Sequence, residues 1–373
     1  MSWNTHHSAS EGLAIDAELA SRSGDKRLAE DLYRKAAAEE AAALESLGAE
    51  KLRTRGITAV SAVSLWYKAH DYATAEGLAY RCLSADHLPS FAQAQLRNLL
   101  SMIWTASAAD KAGVIFVPGD VLVSVQGTQI IHGAAPLELI IQKVEGVRAL
   151  LFRTIEMLLG APLRIRGGPT TEVQSMFRPW LFQAPAGSYQ FAVRMQEPEQ
   201  REFWERDRPK VEQVTKTFIG ILRASATDPD EELPRIVLDS GYRRAFLDLS
   251  RSLAPTGKTY DRIEIRDASS PAEPVVTLGV ESRHELNAAI KQTKMRVTDN
   301  AEEIETIIGV LRGLHLDQDW LVIRPIDSIE QVRIEGASEV LDDVIGPMVN
   351  QRVKVSAVRR GSKHIYRDID FEE

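Results

Sequence analysis

Apolar residues recur at helical spacing through roughly the first 100 residues, and the pattern there predicts helices. The stretch "AEDLYRKAAAEEAAALESLGAEKL" is built from Ala, Leu, Glu and Lys, all strong helix formers. After Trp104 the pattern changes. "TASAADKAG" reads as a small-residue connector. "GVIFVPGDVLVSVQGTQII" then runs apolar in short bursts, which predicts one or two strands with turns at Pro118–Gly119 and Gly127–Thr128. A helix follows in "APLELIIQKVEGVRALLFRTIEMLLG". Pro136 suits its first turn, Leu139, Ile140, Val144, Val147, Leu150, Leu151, Ile155 and Leu158 share one face, and Gly160 is its stop.

"SYQFAVRMQ" alternates like a strand. Two helical regions are expected across "PEQREFWERDRPKVEQVTKTFIGILRAS" and "PDEELPRIVLDSGYRRAFLDLSRSLAP", parted near Thr227, Asp228 and Pro229. Strands "YDRIEIRD" and "PVVTLGV" flank the turn "ASSPAEP". The helix "SRHELNAAIKQTK" follows, with Ser282 and Glu285 spaced as a capping box. The last segment is the most legible. "EIETIIGVLRGLHL", "WLVIRPI" and "EQVRIEG" predict three strands, "SEVLDDVIGPMV" a short helix, and "QRVKVSAVRR" and "KHIYRDIDF" two more strands.

A recurrence runs through the helical region. "GDKRLAEDLYRKA" begins at Gly24 and "HDYATAEGLAYRCL" at His70, 46 residues on, aligning Ala29 with Ala75, Tyr33 with Ala79 and Ala36 with Cys82. These segments resemble the second helices of tetratricopeptide repeats, with Asp86 and Pro89 closing the second unit. The resemblance covers roughly residues 10–104. It implies an array of helical hairpins that contacts a protein partner, with a plain helical bundle as the other reading. The C-terminal order β-β-β-α-β-β resembles the OB-fold, and an SH3-like small barrel is its rival.

The fold class expected is therefore α+β and multi-domain. It comprises a tetratricopeptide-like helical array at 1–108, a mixed α/β domain at 109–300 and an OB-like small β-barrel at 301–373. This three-part build is similar to that of accessory proteins of bacterial defence or toxin–antitoxin loci, in layout alone.

Composition narrows the setting. The 373 residues are 44% hydrophobic and 26% charged, ordinary for a globular protein. The sole cysteine, Cys82, forms no internal disulfide, and no run of about 18 apolar residues occurs. The start, "MSWNTHHSAS", lacks the features of a secretion signal, so a cytoplasmic protein with no membrane attachment is expected. A formal charge of -8 argues against nonspecific coating of nucleic acid by the whole molecule, and leaves a local basic face open.

Catalytic motifs are not found. "PTGKTYD" ends like a phosphate-binding loop, but Ser252 stands where that loop requires glycine, and a helix precedes it where a strand should. The eight histidines form no metal-ligating pair at helical or strand spacing, and neither Ser188 nor Ser240 sits in a nucleophile elbow. No cofactor, metal or catalytic residue is assigned. An enzyme of unfamiliar type stays open, if a pocket gathers Arg164, Arg178 and Tyr189.

Two binding candidates remain. The hairpin 351–367 carries Arg352, Lys354, Arg359, Arg360, Lys363, Tyr366 and Arg367 and no acidic residue, which suits contact with single-stranded nucleic acid. The wider segment 304–373 has 9 Lys plus Arg against 13 Asp plus Glu, which favours a solvated hairpin instead. The second candidate is the corner "RIRGGPTTEVQSMFRPW". Arg164 and Arg166 stand beside Gly167 and Gly168, and a helix start is capped by Thr170 or Thr171, with Gln174 completing a capping box. With Arg178 this would cradle a phosphate or carboxylate, or simply build a sharp turn. The leading expectation is a non-catalytic adaptor, with a nucleic-acid-binding component as the alternative.

Overall fold

The computed structural model describes residues 2–85, 88–114, 116–131, 133–183, 189–196, 209–267, 275–295, 304–337 and 342–372. It is a mixed α+β structure, with twelve α-helices and two sheets among the described residues. The chain divides into two compact units, Met1–Ile115 and Phe116–Glu373. None of the described helices is long and apolar enough to cross a membrane.

The first unit is all helix: α1 (Trp3–Arg22), α2 (Lys26–Glu45), α3 (Leu52–Lys68), α4 (Tyr72–Ser84) and α5 (Ser90–Lys111). Each helix packs on its successor, and α3 also packs on α5. The 46-residue recurrence has a physical basis. Gly24 and His70 both adopt positive φ, at 86° and 58°. Asp25 and Asp71 then cap α2 and α4 by accepting from Leu28 N and Thr74 N, each at 3.1 Å. Ala29, Ala36, Ala75 and Ala79 are buried, so the neighbouring helices approach closely. The connector expected at "TASAADKAG" is instead the last part of α5. Alanines and serines sustain the helix, and its first breaker is Gly113 at φ 66°.

The second unit holds a five-stranded antiparallel sheet of order β2-β3-β1-β4-β5, and a closed barrel. Its strands are β1 (Phe116–Gln126), β2 (Arg178–Gln183), β3 (Tyr189–Gln196), β4 (Arg262–Asp267) and β5 (Val276–Gly279). The turn expected at Pro118–Gly119 is a bulge inside β1. Gly119 takes φ 127°, its carbonyl accepts from Thr215 Oγ1 at 3.0 Å, and the strand continues past it. Strand β2 carries no alternating apolar signal and is held by its pairing to β3.

The helices of this unit are α6 (Leu137–Leu158), α7 (Thr171–Met176), α8 (Val211–Thr227), α9 (Glu232–Ile236), α10 (Ser240–Leu253) and α11 (Val280–Met295). Helix α8 lies on β1, β4 and β5, and contacts α6, α10 and α11. Helix α11 starts directly from β5, so the capping box expected at Ser282 does not form; Ser282 Oγ accepts from Gly279 N at 3.3 Å instead. The helix expected over 198–208, the turn at 268–274 and Asp86 lie outside the described residues.

The barrel strands are β6 (Ile304–His315), β7 (Trp320–Pro325), β8 (Val332–Glu335), β9 (Arg352–Arg360) and β10 (Lys363–Phe371), with α12 (Asp342–Ile345) between β8 and β9. They close in the order β10-β8-β7-β6-β9, antiparallel except for β10 against β8. Closure brings β6 and β7 together at Gly309, where an added Cβ would sit 2.3 Å from the Arg324 carbonyl oxygen. Barrel residues Leu311, Ile323, Val353 and Ile369 belong to the same buried cluster as Phe218, Leu222 and Ile263, so sheet, helices and barrel share one core.

The two caps have the same geometry, so Asp25→Ala and Asp71→Ala should each cost about 1 kcal/mol. Thermal unfolding of the two single variants should show similar falls in midpoint, and the double variant their sum.

Candidate nucleic-acid interface

The corner 164–178 closes on the barrel. Arg153, fully buried on α6, donates from Nε to Asp343 Oδ2 at 3.0 Å and from Nη1 to the Arg164 carbonyl. Burial pushes its guanidinium below the usual value, and Asp343 opposes that shift. Arg164 donates to Glu156 Oε1 at 2.9 Å and Asp343 Oδ2 at 3.2 Å, and its Nη1 meets the Gly167 carbonyl. Arg166 pairs with Asp317, and Gly167 N donates to Asp342. A cavity of about 310 Å³ adjoins this joint and is lined in part by Arg148, Arg164 and Asp343.

Thr170 is the cap of α7, accepting from Val173 N at 3.3 Å, while Gln174 Nε2 donates to the Pro169 carbonyl at 2.6 Å. The capping box expected from Thr171 does not form: with Thr170 as the cap the third helical position is Val173, and Gln174 donates to a carbonyl instead of accepting from the cap N–H. Gly167 takes φ 74°, and a Cβ added at Gly168 would lie 3.9 Å from Gln174 Nε2. Arg178 lies on β2, with its guanidinium 5.6 Å from the Trp180 ring centre. Tyr189 packs against the core from β3. Arg164, Arg166, Arg178 and Tyr189 therefore have separate surroundings.

The other side of the barrel is tied down by the same chemistry. Strand β10 alternates, placing Asp368, Asp370 and Glu372 on one side while Ile369 points into the core. Arg251 of α10, which is buried, reaches Asp368 Oδ2 at 2.8 Å and the Ile369 carbonyl at 3.1 Å. Burial alone would lower its pKa, but Asp368, Asp248 and Asp370 raise it above the usual value. Arg283 of α11 pairs with Asp370, and Lys258 Nζ lies 3.2 Å from Glu372 Oε1. Five of the barrel segment's acidic residues, at 342, 343, 368, 370 and 372, thus pair with the helical layer, the loop after α10 or the corner.

The outward rows over β6, β7 and β9 carry mainly basic and apolar side chains, with Glu335 of β8 opposite Trp320 and the exposed Glu305, Asp327 and Glu330 elsewhere on the barrel segment. On β9, Val353 and Val355 are buried while Arg352 and Lys354 are exposed. Across the sheet Arg352 stands opposite Val310 of β6, and Val310 opposite Arg324 of β7. The next row places Lys354 opposite Ile308. Trp320 and Val322 alternate outward with Arg324, because Leu321 and Ile323 point inward. Arg333 of β8 lies 4.9 Å over the Trp320 ring, and the His315 ring is 5.7 Å from it. Arg312 donates to Asn350 Oδ1 at 3.2 Å beside a bulge in β6. Arg324, Arg352 and Lys354 have no carboxylate partner among the described residues.

The other residues of the C-terminal hairpin are placed differently. Arg359 and Arg360 are exposed at its tip, and Lys363 Nζ is 2.8 Å from Glu335 Oε2. Arg367 sits half-buried at a bulge in β10. Tyr366 packs on the core; burial and the neighbouring Asp368 and Asp248 raise its pKa well above the usual value. The outward cations Arg312, Arg324 and Arg333 and the ring of Trp320 were not singled out from the sequence. Their signal is the alternation of "WLVIRP" and "VRIE", legible only once it is known which parity faces the barrel interior.

No group of three His, Cys, Asp or Glu side chains among the described residues is placed to hold a metal ion. Comparison with protein-family models, with curated proteins and with solved structures finds no match to this chain.

Removing one partner of a buried ion pair strands the other, so Asp368→Asn should destabilise the unit by about 3–5 kcal/mol. Urea unfolding should show most of that loss recovered when Arg251→Met is added. Tyr242, whose hydroxyl donates to the Ala161 carbonyl at 3.0 Å, has a pKa pushed up to about 12 by burial and then by Glu156. Its proton is held more tightly in the folded chain, so the associated stability is intact below about pH 10 and lost as pH rises towards 12. Tyr242→Phe should lower stability at neutral pH by about 1 kcal/mol and flatten the alkaline decline, read as unfolding midpoint against pH.

Proposed function

We propose that the chain is a non-catalytic adaptor whose C-terminal barrel takes a single-stranded nucleic acid on its outer face. The observation that carries this reading is the surface just described. An apolar strip of Ile308, Val310 and Val322 runs between Arg352 and Lys354 on one side and Arg324 and Arg333 on the other, with Trp320 at one end. Cations on both flanks neutralise phosphates, and the indole offers a stacking face for a base.

The strand order supports reading the barrel as OB-like. Five strands close with a helix between the third and fourth, and the third pairs in parallel with the fifth. In the helical unit, the repeated positive-φ, Asp-capped and Ala-buried segments support a divergent tetratricopeptide-like array that docks a protein partner. Cys82, a half-buried lone thiol, is in keeping with a reducing cytoplasm.

Fluorescence anisotropy with a labelled oligothymidylate tests the barrel reading. Four phosphate contacts give a slope of log K against log salt near about -3 for a single strand. Arg324→Glu with Arg352→Glu should roughly halve that slope, and Trp320→Ala should weaken binding about tenfold. An absence of binding at low salt, or a slope unchanged in the double variant, would sink the reading.

A further inference from the structure

We infer that the face of the five-stranded sheet turned away from its helices is a second contact surface for the same single strand. This rests on the reading that the chain binds single-stranded nucleic acid. Alternation sets two faces apart. Val121, Val123, Val125, Phe191, Val193, Ile263 and Ile265 are buried in one cluster with Phe218 and Leu222 of α8. The intervening positions form the opposite face. Leu122, Ser124, Ala192 and Gln196 of that second face are also buried, so its exposed part is carried by Arg178, Trp180, Arg262 and Arg266. Cross-strand register sets Arg178 beside Gln196 and Phe116, Trp180 beside Arg194, and Phe182 in one row with Ala192, Leu122 and Arg266.

Three aromatic rings gather on this face. Phe116 meets Trp180 and Phe182 edge-on, at 5.6 and 4.9 Å between ring centres. The indole N–H donates to Gln196 Oε1 at 2.8 Å, which fixes the ring's orientation while 37% of the residue stays exposed. A large aromatic so held presents a flat apolar surface at little entropic cost to a stacking partner.

Charge on the face has the matching sign. Its carboxylates are engaged: Asp120 with Arg194 at 2.7 Å and Glu264 with Arg262 at 3.3 Å. Arg178, over the Trp180 ring, and Arg266 are exposed and have no carboxylate partner among the described residues. They stand three strand spacings apart across the sheet and four residues apart along it, about 20 Å in all, with the rings lying towards the Arg178 side. Two separated cations with aromatic surface beside one of them suit a phosphate backbone that carries bases, and suit a purely acidic peptide less well because the rings would go unused.

Binding on both faces makes the second contact intramolecular for a long strand, so its effect depends on ligand length. The full chain is tested with iodouracil-bearing strands of about 20 nucleotides and about 6 nucleotides, by photo-crosslinking with peptide mapping and by anisotropy. The expected result is adducts at Trp180 or Phe182 with the long strand. Arg178→Glu with Arg266→Glu should weaken the long strand about tenfold and the short one by at most about twofold. Both positions are exposed, so the double variant keeps the test open if Trp180→Ala fails to fold.

Adducts confined to the barrel, with long-strand affinity unchanged in the double variant, overturn this inference and leave the barrel reading standing. Adducts confined to the sheet, with affinity insensitive to Arg324→Glu and Arg352→Glu, do the reverse. An acidic peptide that binds at Trp180, while no nucleotide adduct forms there, also overturns it.

Discussion

The second unit depends on arginines that are buried in its helical layer and must find carboxylates. Arg153 and Arg251 lie among leucines and isoleucines with almost no access to water. A guanidinium so placed is tolerable only when its donors are matched, because an unpaired buried charge costs several kcal/mol. The nearest carboxylates come from the barrel segment, Asp343 for Arg153 and Asp368 for Arg251, with Glu156 and Asp248 on the arginines' own helices farther off. Burial of the helices' own cations therefore specifies how the barrel is seated, and the shared apolar core fills the space around those pairs.

That seating has an electrostatic consequence on the far side. The barrel segment is acidic in sum, which on composition alone speaks against a polyanionic ligand. Sum and surface differ in part because five carboxylates, at 342, 343, 368, 370 and 372, pair with the helical layer, the loop after α10 or the corner. The outward rows carry Arg324, Arg333, Arg352 and Lys354 around an apolar strip, with Glu335 opposite Trp320 and paired to Lys363. The same partition explains the corner. Arg164 pairs with Asp343 and Arg166 with Asp317, whereas Arg178 lies beside Trp180 on the sheet.

Much of the layout is legible in the chain itself. The barrel strands and the helix between them follow from two-residue alternation broken by turn residues, and α6 from its apolar spacing, Pro136 and Gly160. The recurrence at Gly24 and His70 marks real structural equivalence, since Asp25 and Asp71 cap in the same way. Strand β2 was not legible, because "RPWLFQ" lacks alternation and is a strand only through pairing with β3. Nor was the bulge at Gly119, where Pro–Gly reads locally as a turn and Thr215 of a distant helix holds the strand together.

The sequence by itself determined the local elements, since periodicity, caps and breakers act over a few residues and need no distant partner. Only the tertiary structure showed that Arg153 and Arg251 are buried and so need neutralising partners. It also decided which partners those are. Pairing of Arg153 with Asp343 joins residues 190 positions apart, on α6 and α12. Whether a lysine or a tryptophan on such a strand faces solvent is a property of the closed barrel, because closure and docking, and no local preference, choose the inside.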